Sequence, residues 1–452
     1  MAKKVASSVP LVLDFDGTLH RGDILWEAMV YALRHKPWAL LVMMVIWVVR
    51  GKAAGKLALE EMLPDISKFK VSWNESVREL AADAAAAGRE VLVVTGSPEG
   101  WVEGIVKAEG LEWEVMGTME PEVNLTRHNK AALLVKLFGE KGFDYAGNSH
   151  DDVPVWAVAR EAIVVNAGRG VGEAADKAGN VRLCMAESGG GMAAVIKAMR
   201  PHQWLKNLLV FVPIVTAHAW GSPLTWATAV AAFVAFSLCA SGVYVLNDLL
   251  DIQDDRAHPR KRFRPLASGV LSVPMALLVI PVLTGVAFGL AAWVSGAFMA
   301  VLGVYLVMTL AYSFVLKAKP MADVVTLAGL YCLRVVAGGV ATGIGVSFWL
   351  LLFALMGFYS LANMKRVIEL RGLVVAGKGK TRTRGYEVED MTLVAAQGAA
   401  SGLMAVLVLA LYLQSPAVAP LYSHPVWLGL ICPLAMWWLA RAWLIAWRGS
   451  MH

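Results

Sequence analysis

Charge is scarce in this 452-residue chain. Lys, Arg, Asp and Glu make up 17% of it, against about 25% in an ordinary soluble protein. Cysteine is scarcer. Cys184, Cys239, Cys332 and Cys432 lie far apart with no Cys-x-x-Cys pair, which argues against a disulfide framework or a cysteine zinc site. No secretory leader is expected, because the first apolar run, Val9 to Leu13, is short and meets Asp14 at once. No repeat of solenoid period is present. Apolar residues are abundant at 58%, with 17 Trp and 20 Met. That excludes intrinsic disorder and points away from a wholly soluble protein. The length leaves room for roughly three average domains.

The charge is unevenly spread. Residues 1–206 carry 24 Lys and Arg against 26 Asp and Glu, whereas residues 207–452 carry 17 against 9. The first part reads as a soluble α/β domain over 1–187. Residues 188–197, opening Ser188-Gly189-Gly190-Gly191, read as a flexible linker. The rest, 198–452, reads as an all-α polytopic membrane bundle. Its apolar segments fall near 205–220, 225–247, 273–294, 297–316, 322–342, 347–364, 391–413 and 425–447. Each approaches the ~20 residues that cross a ~30 Å hydrocarbon core. The loops after the second, fourth and sixth segments hold the Lys and Arg, Lys378, Lys380 and Arg382 among them, and the intervening loops hold none. By the positive-inside rule the charged loops, and with them the N-terminal domain, are expected in the cytoplasm, with the chain in the inner membrane.

The N-terminal part carries four chemical pieces in order. Pro10-Leu-Val-Leu-Asp14-Phe-Asp16-Gly-Thr is a buried strand ending in two carboxylates. A first Asp at a strand end can attack phosphorus, and a second, two residues on, can transfer a proton. Val91 to Thr95 is a strand ending in a hydroxyl that can hold a phosphate oxygen. Lys130 can neutralise phosphate and nucleophile. Tyr145-Ala-Gly147-Asn148-Ser149-His150-Asp151-Asp152 supplies oxygen donors suited to Mg²⁺. Together these resemble the haloacid dehalogenase (HAD) superfamily over about residues 8–185. The resemblance implies Asp14 as nucleophile, Asp16 as general acid and base, and Thr95 and Lys130 as the phosphate-binding pair. Asn148 and Asp152 would join Asp14 and Asp16 at the metal; Asn148 stands where that superfamily commonly has Asp. Residues ~20–85 read as a helical cap. Within it, Pro37 to Val49 is apolar but too short to span. A buried cap helix and an interfacial helix both remain open readings.

In the membrane part, Asn247-Asp248-Leu-Leu-Asp251-Ile-Gln-Asp254-Asp255 spaces Asp248, Asp251 and Asp255 at i, i+3 and i+7. On a helix that sets three carboxylates on one face, where a divalent cation carrying a diphosphate would relieve their repulsion. Arg260, Lys261, Arg262 and Arg264 follow, then Pro265-Leu-Ala-Ser268-Gly269. This pattern resembles the UbiA superfamily of intramembrane transferases over about residues 198–447, which implies eight or nine helices. Where that family has a second acidic motif, this chain has Asn363-Met-Lys365-Arg366-Val-Ile-Glu369. With Arg200 to Asn207 and the run from Leu333-Arg334 to Gly339, this looks like the branch making decaprenylphosphoryl-5-phosphoribose. The resemblance implies catalytic and metal roles for Asp248, Asp251 and Asp255. It implies substrate contacts for Lys206, Asn247, Arg262, Arg264, Arg334, Lys365, Arg366 and Glu369. Asp323 and Arg334, three turns apart within the fifth segment, share a face and read equally as an ion pair or as substrate contacts.

The expected function is Mg²⁺-dependent transfer of 5-phosphoribosyl from phosphoribosyl pyrophosphate (PRPP) to polyprenyl phosphate, with the HAD-like domain removing the 5-phosphate. Prenyl transfer from a prenyl diphosphate to an aromatic acceptor stays open, as does a binding or regulatory HAD-like domain. The expected partners are the two substrates and the bilayer. A homo-oligomer is left open and no nucleic acid is expected.

Overall fold

The computed structural model describes residues 9–168, 170–178, 180–185, 190–375, 377, 384–414 and 425–449. Ser188 and Gly189 of the expected linker, and Lys378, Lys380 and Arg382, lie outside the described residues. The chain divides into two compact units. One contains Met1–Met199 with Tyr244–Ile280; the other contains Arg200–Val243 with Pro281–His452.

In the first unit the elements run β1 (Leu11–Leu13), α1 (Ile24–His35), α2 (Pro37–Arg50), α3 (Lys52–Met62), α4 (Glu75–Ala86), β2 (Val91–Pro98), α5 (Glu99–Ala108), β3 (Glu114–Thr118), α6 (Arg127–Phe138), β4 (Asp144–Gly147), α7 (Val153–Val158), β5 (Glu161–Val165), α8 (Val171–Lys177), β6 (Val181–Met185) and α9 (Met192–Met199). The six strands form one parallel sheet in the order β3-β2-β1-β4-β5-β6. Strands β1, β2 and β5 carry runs of Val, Leu and Ile, as expected where helices cover both faces of a parallel sheet. One face packs Leu11, Leu13 and Val93 against Leu59, Val77, Ala81 and Trp101. The other packs Val12, Val94 and Tyr145 against Leu134, Trp156 and Val171.

Strand order reverses at β1, which has β2 on one side and β4 on the other. Such a switch point leaves a crevice at the carboxyl ends of the strands. Register places Leu13 beside Ala146 and Val93, so the residues that follow β1, β4 and the middle of β2 converge there. Helices α1 to α3 fill the expected cap insert, and α4 leads into β2. Part of the expected linker is ordered helix: Ala194 and Ala198 of α9 are buried in one cluster with Val30 of α1.

The remaining helices are α10 (Val212–Thr216), α11 (Pro223–Leu250), α12 (Ile252–Arg256), α13 (Val273–Val294), α14 (Gly296–Phe314), α15 (Ala322–Thr342), α16 (Phe348–Val375), α17 (Met391–Leu413), α18 (Pro425–Leu428) and α19 (Ile431–Arg448). All eight apolar segments read from the sequence are helical. Six are long and apolar enough to cross a membrane: α11, α13, α14, α15, α16 and the stretch Val388–Leu413. The first segment departs from one continuous span. It forms a 3-10 stretch over Pro201–Phe211 and then the short α10, where Pro213 lacks the N–H an uninterrupted helix would use. In the last segment, helix α19 is 18 residues long and carries Arg441 and Arg448 among four tryptophans.

The first unit also contains the end of α11, the whole of α12 and the start of α13. Arg256 at the end of α12 meets Glu27 of α1 through two parallel contacts, Nη1 to Oε2 at 2.6 Å and Nη2 to Oε1 at 2.7 Å. Both side chains are about 95% or more buried. His20 Nε2 lies 3.1 Å from the same carboxylate. Arg256 also donates to the carbonyls of Ala267 and Lys70, each at 2.8 Å. Burial alone would push the Glu27 carboxyl up, but Arg256 and His20 outweigh it and hold it at about 2.

Two outcomes are expected. Glu27→Ala leaves a buried, unpaired guanidinium and should cost about 3–5 kcal/mol, read as a lowered thermal midpoint of the detergent-purified protein. Because the folded carboxyl titrates below its ordinary 4.5, its contribution is complete above about pH 4.5. It is lost as pH falls toward 2, and the acid arm of a stability profile should be flattened in Glu27→Gln.

Candidate functional site

A cavity of about 420 Å³ opens at the strand ends of the first unit. Asp14 follows β1 directly. Its Oδ1 accepts a hydrogen bond from Lys130 Nζ at 2.7 Å. Lys130 reaches it from α6 and donates also to the Tyr145 hydroxyl at 2.9 Å. Asp16 accepts from the Ile24 amide at 2.8 Å and from Ser97 Oγ at 2.6 Å. Burial pushes Asp14 up to about 6, against the pull of Lys130, and pushes Asp16 up to about 8, helped by Asp23. At neutral pH Asp14 is therefore largely a carboxylate and Asp16 largely an acid. Two neighbouring carboxyls are thus suited to opposite tasks.

Asp152 has both oxygens engaged. Oδ1 accepts from the Tyr145 hydroxyl at 2.7 Å, and Oδ2 accepts from the Asn148 and Ser149 amides and Ser149 Oγ, each at 3.0 Å. It pins the loop that presents Asn148 to the cavity. Gly17 makes room for that loop. Its φ is +78°, and a β-carbon there would fall 2.0 Å from Asn148 Nδ2.

Of the residues expected here, Asp14, Asp16, Lys130, Asn148 and Asp152 line the cavity. Thr95 does not. It is fully buried, and its hydroxyl accepts the Ser97 amide at 3.1 Å. Ser97, two residues on and on the same side of the strand, is the hydroxyl at the rim. Lys56 of α3 was not foreseen. It donates to the Gly96 carbonyl and to Asn124 Oδ1 at 3.0 Å, and burial with the neighbouring Lys52 pushes its ammonium down to about 8. Arg21, Lys52 and Arg127 also line the cavity, as do Leu266, Leu271 and Val273 from the segment that follows α12.

The expected face of three carboxylates is met for two of them. Helix α11 ends at Leu250, and Asp251 is the residue that starts α12, so the spacing does not run along one helix. Arg264 Nη1 bridges Asp248 Oδ1 at 3.0 Å and Asp255 Oδ2 at 2.7 Å. Asp251 is paired with Arg34 of α1 at 2.7 Å, and Arg34 also caps the Leu250 carbonyl at 2.8 Å. Asn247 is half-buried on the last turn of α11. Arg262 is exposed and its guanidinium lies over the Phe263 ring.

In the second unit, Arg334 and Asp323 do not pair, because neighbouring helices supply each with other partners. Arg334 donates to Asn207 Oδ1 at 2.8 Å and to the Tyr305 hydroxyl at 3.1 Å. Asp323 accepts the Tyr386 hydroxyl at 2.6 Å and lies 2.7 Å from Arg366 Nε. Arg366 is buried and also pairs with Glu369, which lies 3.6 Å from Arg384. These contacts make Arg366 part of a buried network rather than an open cation. Lys206 is within electrostatic reach of Lys365, Arg334 and Arg200, and Lys365 is exposed.

Residues 208–451 match the UbiA prenyltransferase family and residues 11–156 match the haloacid dehalogenase-like hydrolases. The chain is 34% identical over 447 residues to protein y4nM of Sinorhizobium fredii, a match covering 98% of this chain and 86% of that one. It is 42% identical over 184 residues to decaprenyl-phosphate phosphoribosyltransferase of Mycobacterium tuberculosis, covering 40% of this chain and 61% of that enzyme. Among solved structures, a UbiA homolog from Archaeoglobus fulgidus bound to GPP and Mg²⁺ aligns with a TM-score of 0.44 at 19% identity, covering 56% of this chain and 86% of that one.

The cavity geometry makes two substitutions informative. In an assay of the phosphomonoester hydrolysis expected of a haloacid dehalogenase-like domain, Gly17→Ala should displace Asn148 and lower turnover at least tenfold with the sheet intact, as circular dichroism would report. Lys56→Met should raise KM for a phosphomonoester several-fold and leave kcat within about threefold, since Lys56 is placed to attract phosphate and does not touch Asp14.

Proposed function

Because the chain belongs to the UbiA prenyltransferase family and carries a haloacid dehalogenase-like domain ahead of it, we propose that it catalyses two consecutive steps on one lipid. The first moves 5-phosphoribosyl from PRPP to a polyprenyl phosphate. The second removes the 5-phosphate. The observation that carries this reading is that the carboxylate cavity and the acidic segment 247–255 belong to one compact unit, with the cavity walled in part by Leu266, Leu271 and Val273. The likeness to a decaprenyl-phosphate phosphoribosyltransferase supports the choice of donor and acceptor.

Donor chemistry fits Mg²⁺ at both places. Among the described residues no three His, Cys, Asp or Glu side chains form a ready metal cage. Mg²⁺ characteristically takes one or two carboxylates and completes its shell with water and substrate phosphate. Asp14 and Asn148 would hold it in the cavity, and Asp248 and Asp255 in the acidic segment, with Asp251 joining them once released from Arg34. When bound, the ion supplies charge neutralisation at phosphate oxygens.

In the transfer step a phosphate oxygen of the lipid bonds to the anomeric carbon as the bond to diphosphate breaks, and inorganic diphosphate leaves. A phosphate anion is nucleophilic without a strong base. Arg264, which bridges Asp248 and Asp255, stands by the leaving diphosphate. In the hydrolytic step Asp14 attacks phosphorus while Lys130 holds its other charge partner in place. Asp16 donates its proton to the departing ribose 5-oxygen, and as a carboxylate it then takes a proton from the water that cleaves the aspartyl phosphate. In this reading both steps fall on the cytoplasmic face of the inner membrane, which the Lys- and Arg-bearing alternate loops support.

Membranes given labelled PRPP and polyprenyl phosphate test this directly. Asp14→Asn should still consume PRPP and accumulate the 5-phosphorylated lipid. Asp248→Asn should stop both products, by about 10³-fold or more if the metal-stabilised leaving group is lost. Identical lipids in identical ratio from Asp14→Asn and wild type would refute the tandem. Label passing only from a prenyl diphosphate to an aromatic acceptor would refute the phosphoribosyl donor.

A further inference from the structure

We propose that α2 lies in the surface of the bilayer and is a lipid contact of the first unit. Only Ala39 and Met43 of its 14 residues are buried. Leu41, Val45 and Val48, spaced at i, i+4 and i+7, are 67%, 63% and 85% exposed, and Trp38, Met44 and Val49 are exposed beside them. A helix facing water carries polar side chains on its outer face; between Trp38 and Val49 this one has none. Fourteen residues extend about 21 Å, short of the ~30 Å a span requires. An apolar helix of that length is suited to lying along the interface.

The same unit supplies the reason for choosing lipid as the occupant. It contains the ends of two span-length helices, Tyr244–Leu250 of α11 and the start of α13 to Ile280. Helix α1 packs Val30 and Trp26 in one cluster with Val245, Leu249, Val273 and Ala276 from those ends. Only Lys36 separates α1 from α2. The apolar helix therefore begins one residue from a helix fixed where two spans reach the membrane surface. Lys36 precedes it, Arg50 ends it and Lys52 follows it, and no acid lies within it. That pattern complements anionic headgroups and would repel itself across a two-fold contact between copies. The contact also reaches the cavity. Gly55 of α3 packs so closely on Trp47 that a β-carbon there would meet it at 2.9 Å. The next residue, Lys56, lines the cavity.

The test uses the full chain with Cys184, Cys239, Cys332 and Cys432 replaced by alanine. Nitroxides are attached at Leu41→Cys, Val45→Cys and Val48→Cys, with Lys107→Cys on exposed α5 as the aqueous reference. The variants, matched in thermal midpoint, are placed in phosphatidylglycerol–phosphatidylethanolamine vesicles without substrate. Relaxation by O₂ should exceed relaxation by nickel–EDDA several-fold at 41, 45 and 48, with the reverse at 107. Nickel access at 45 and 48 equal to that at 107 would place the helix in water and overturn the proposal. Exclusion of both reagents would mean a protein cover, a second copy or another chain, and would overturn it equally. With no substrate in the measurement, either failure leaves the two-step chemistry untouched.

Discussion

Glu27 and Arg256 stand 229 positions apart in the chain, yet two parallel hydrogen bonds hold them together away from water. Apolar contacts between helices tolerate sliding by an ångström; a buried bidentate pair does not, because misalignment exposes uncompensated charge. The pair therefore sets register more than it adds net stability. It fixes α1 against α12, and Arg256 directly follows Asp255. Arg34 repeats the device one helical stretch later on α1, gripping Asp251 and the end of α11. The geometry of the acidic segment is thus defined partly by residues of the cap insert, within the same compact unit.

The cavity gathers groups of both signs, only partly paired with one another. Asp14, Asp16 and Asp152 crowd one end, and Lys56, Lys52 and Arg127 join Lys130 around them. Burial raises Asp14 and Asp16 and depresses Lys56, so groups of each sign are held away from their preferred protonation. A phosphate neutralises the cations, and a divalent ion neutralises the carboxylates. Neither alone balances the set. That coupling is what the phosphate and Mg²⁺ proposed for this site would balance together, without a complete metal cage among the described residues.

Much of this was legible in the sequence, for reasons that can be named. Short Val and Leu runs end in Asp14 and Thr95, and a Phe143-to-Gly147 run ends in Asn148; these are strand ends, and strand ends of a parallel sheet meet at a switch point. Sequence reasoning took Thr95 as the phosphate hydroxyl, whereas Ser97, on the same side of the strand, is the one that lines the cavity. It placed Asp248, Asp251 and Asp255 on one face by assuming an unbroken helix, whereas α11 stops at Leu250. Asp323 and Arg334 share a face by periodicity, but their partners are set by Asn207, Tyr305, Arg366 and Tyr386 on other segments. Lys56, Glu27 and Arg34 carried no signal. Each is an ordinary polar residue on a short helix, and its importance comes from a partner far away in the chain.

The wall formed by Leu266, Leu271 and Val273 bears on why two chemistries would share one chain. Transfer from PRPP exchanges one phosphate ester linkage for another and releases diphosphate, so its product can in principle run backward while diphosphate persists. Hydrolysis of the 5-phosphate has no such partner in solution: water is in excess and inorganic phosphate is a poor donor. In the proposed tandem, a cavity walled by the segment that follows the acidic motif would shorten the path from the reversible step to the irreversible one and raise the local concentration of the intermediate. A freely diffusing phosphatase would need to find the same headgroup among all membrane lipids. The apolar residues in the cavity wall, absent from any requirement for binding phosphate itself, are what a lipid-borne substrate would make useful.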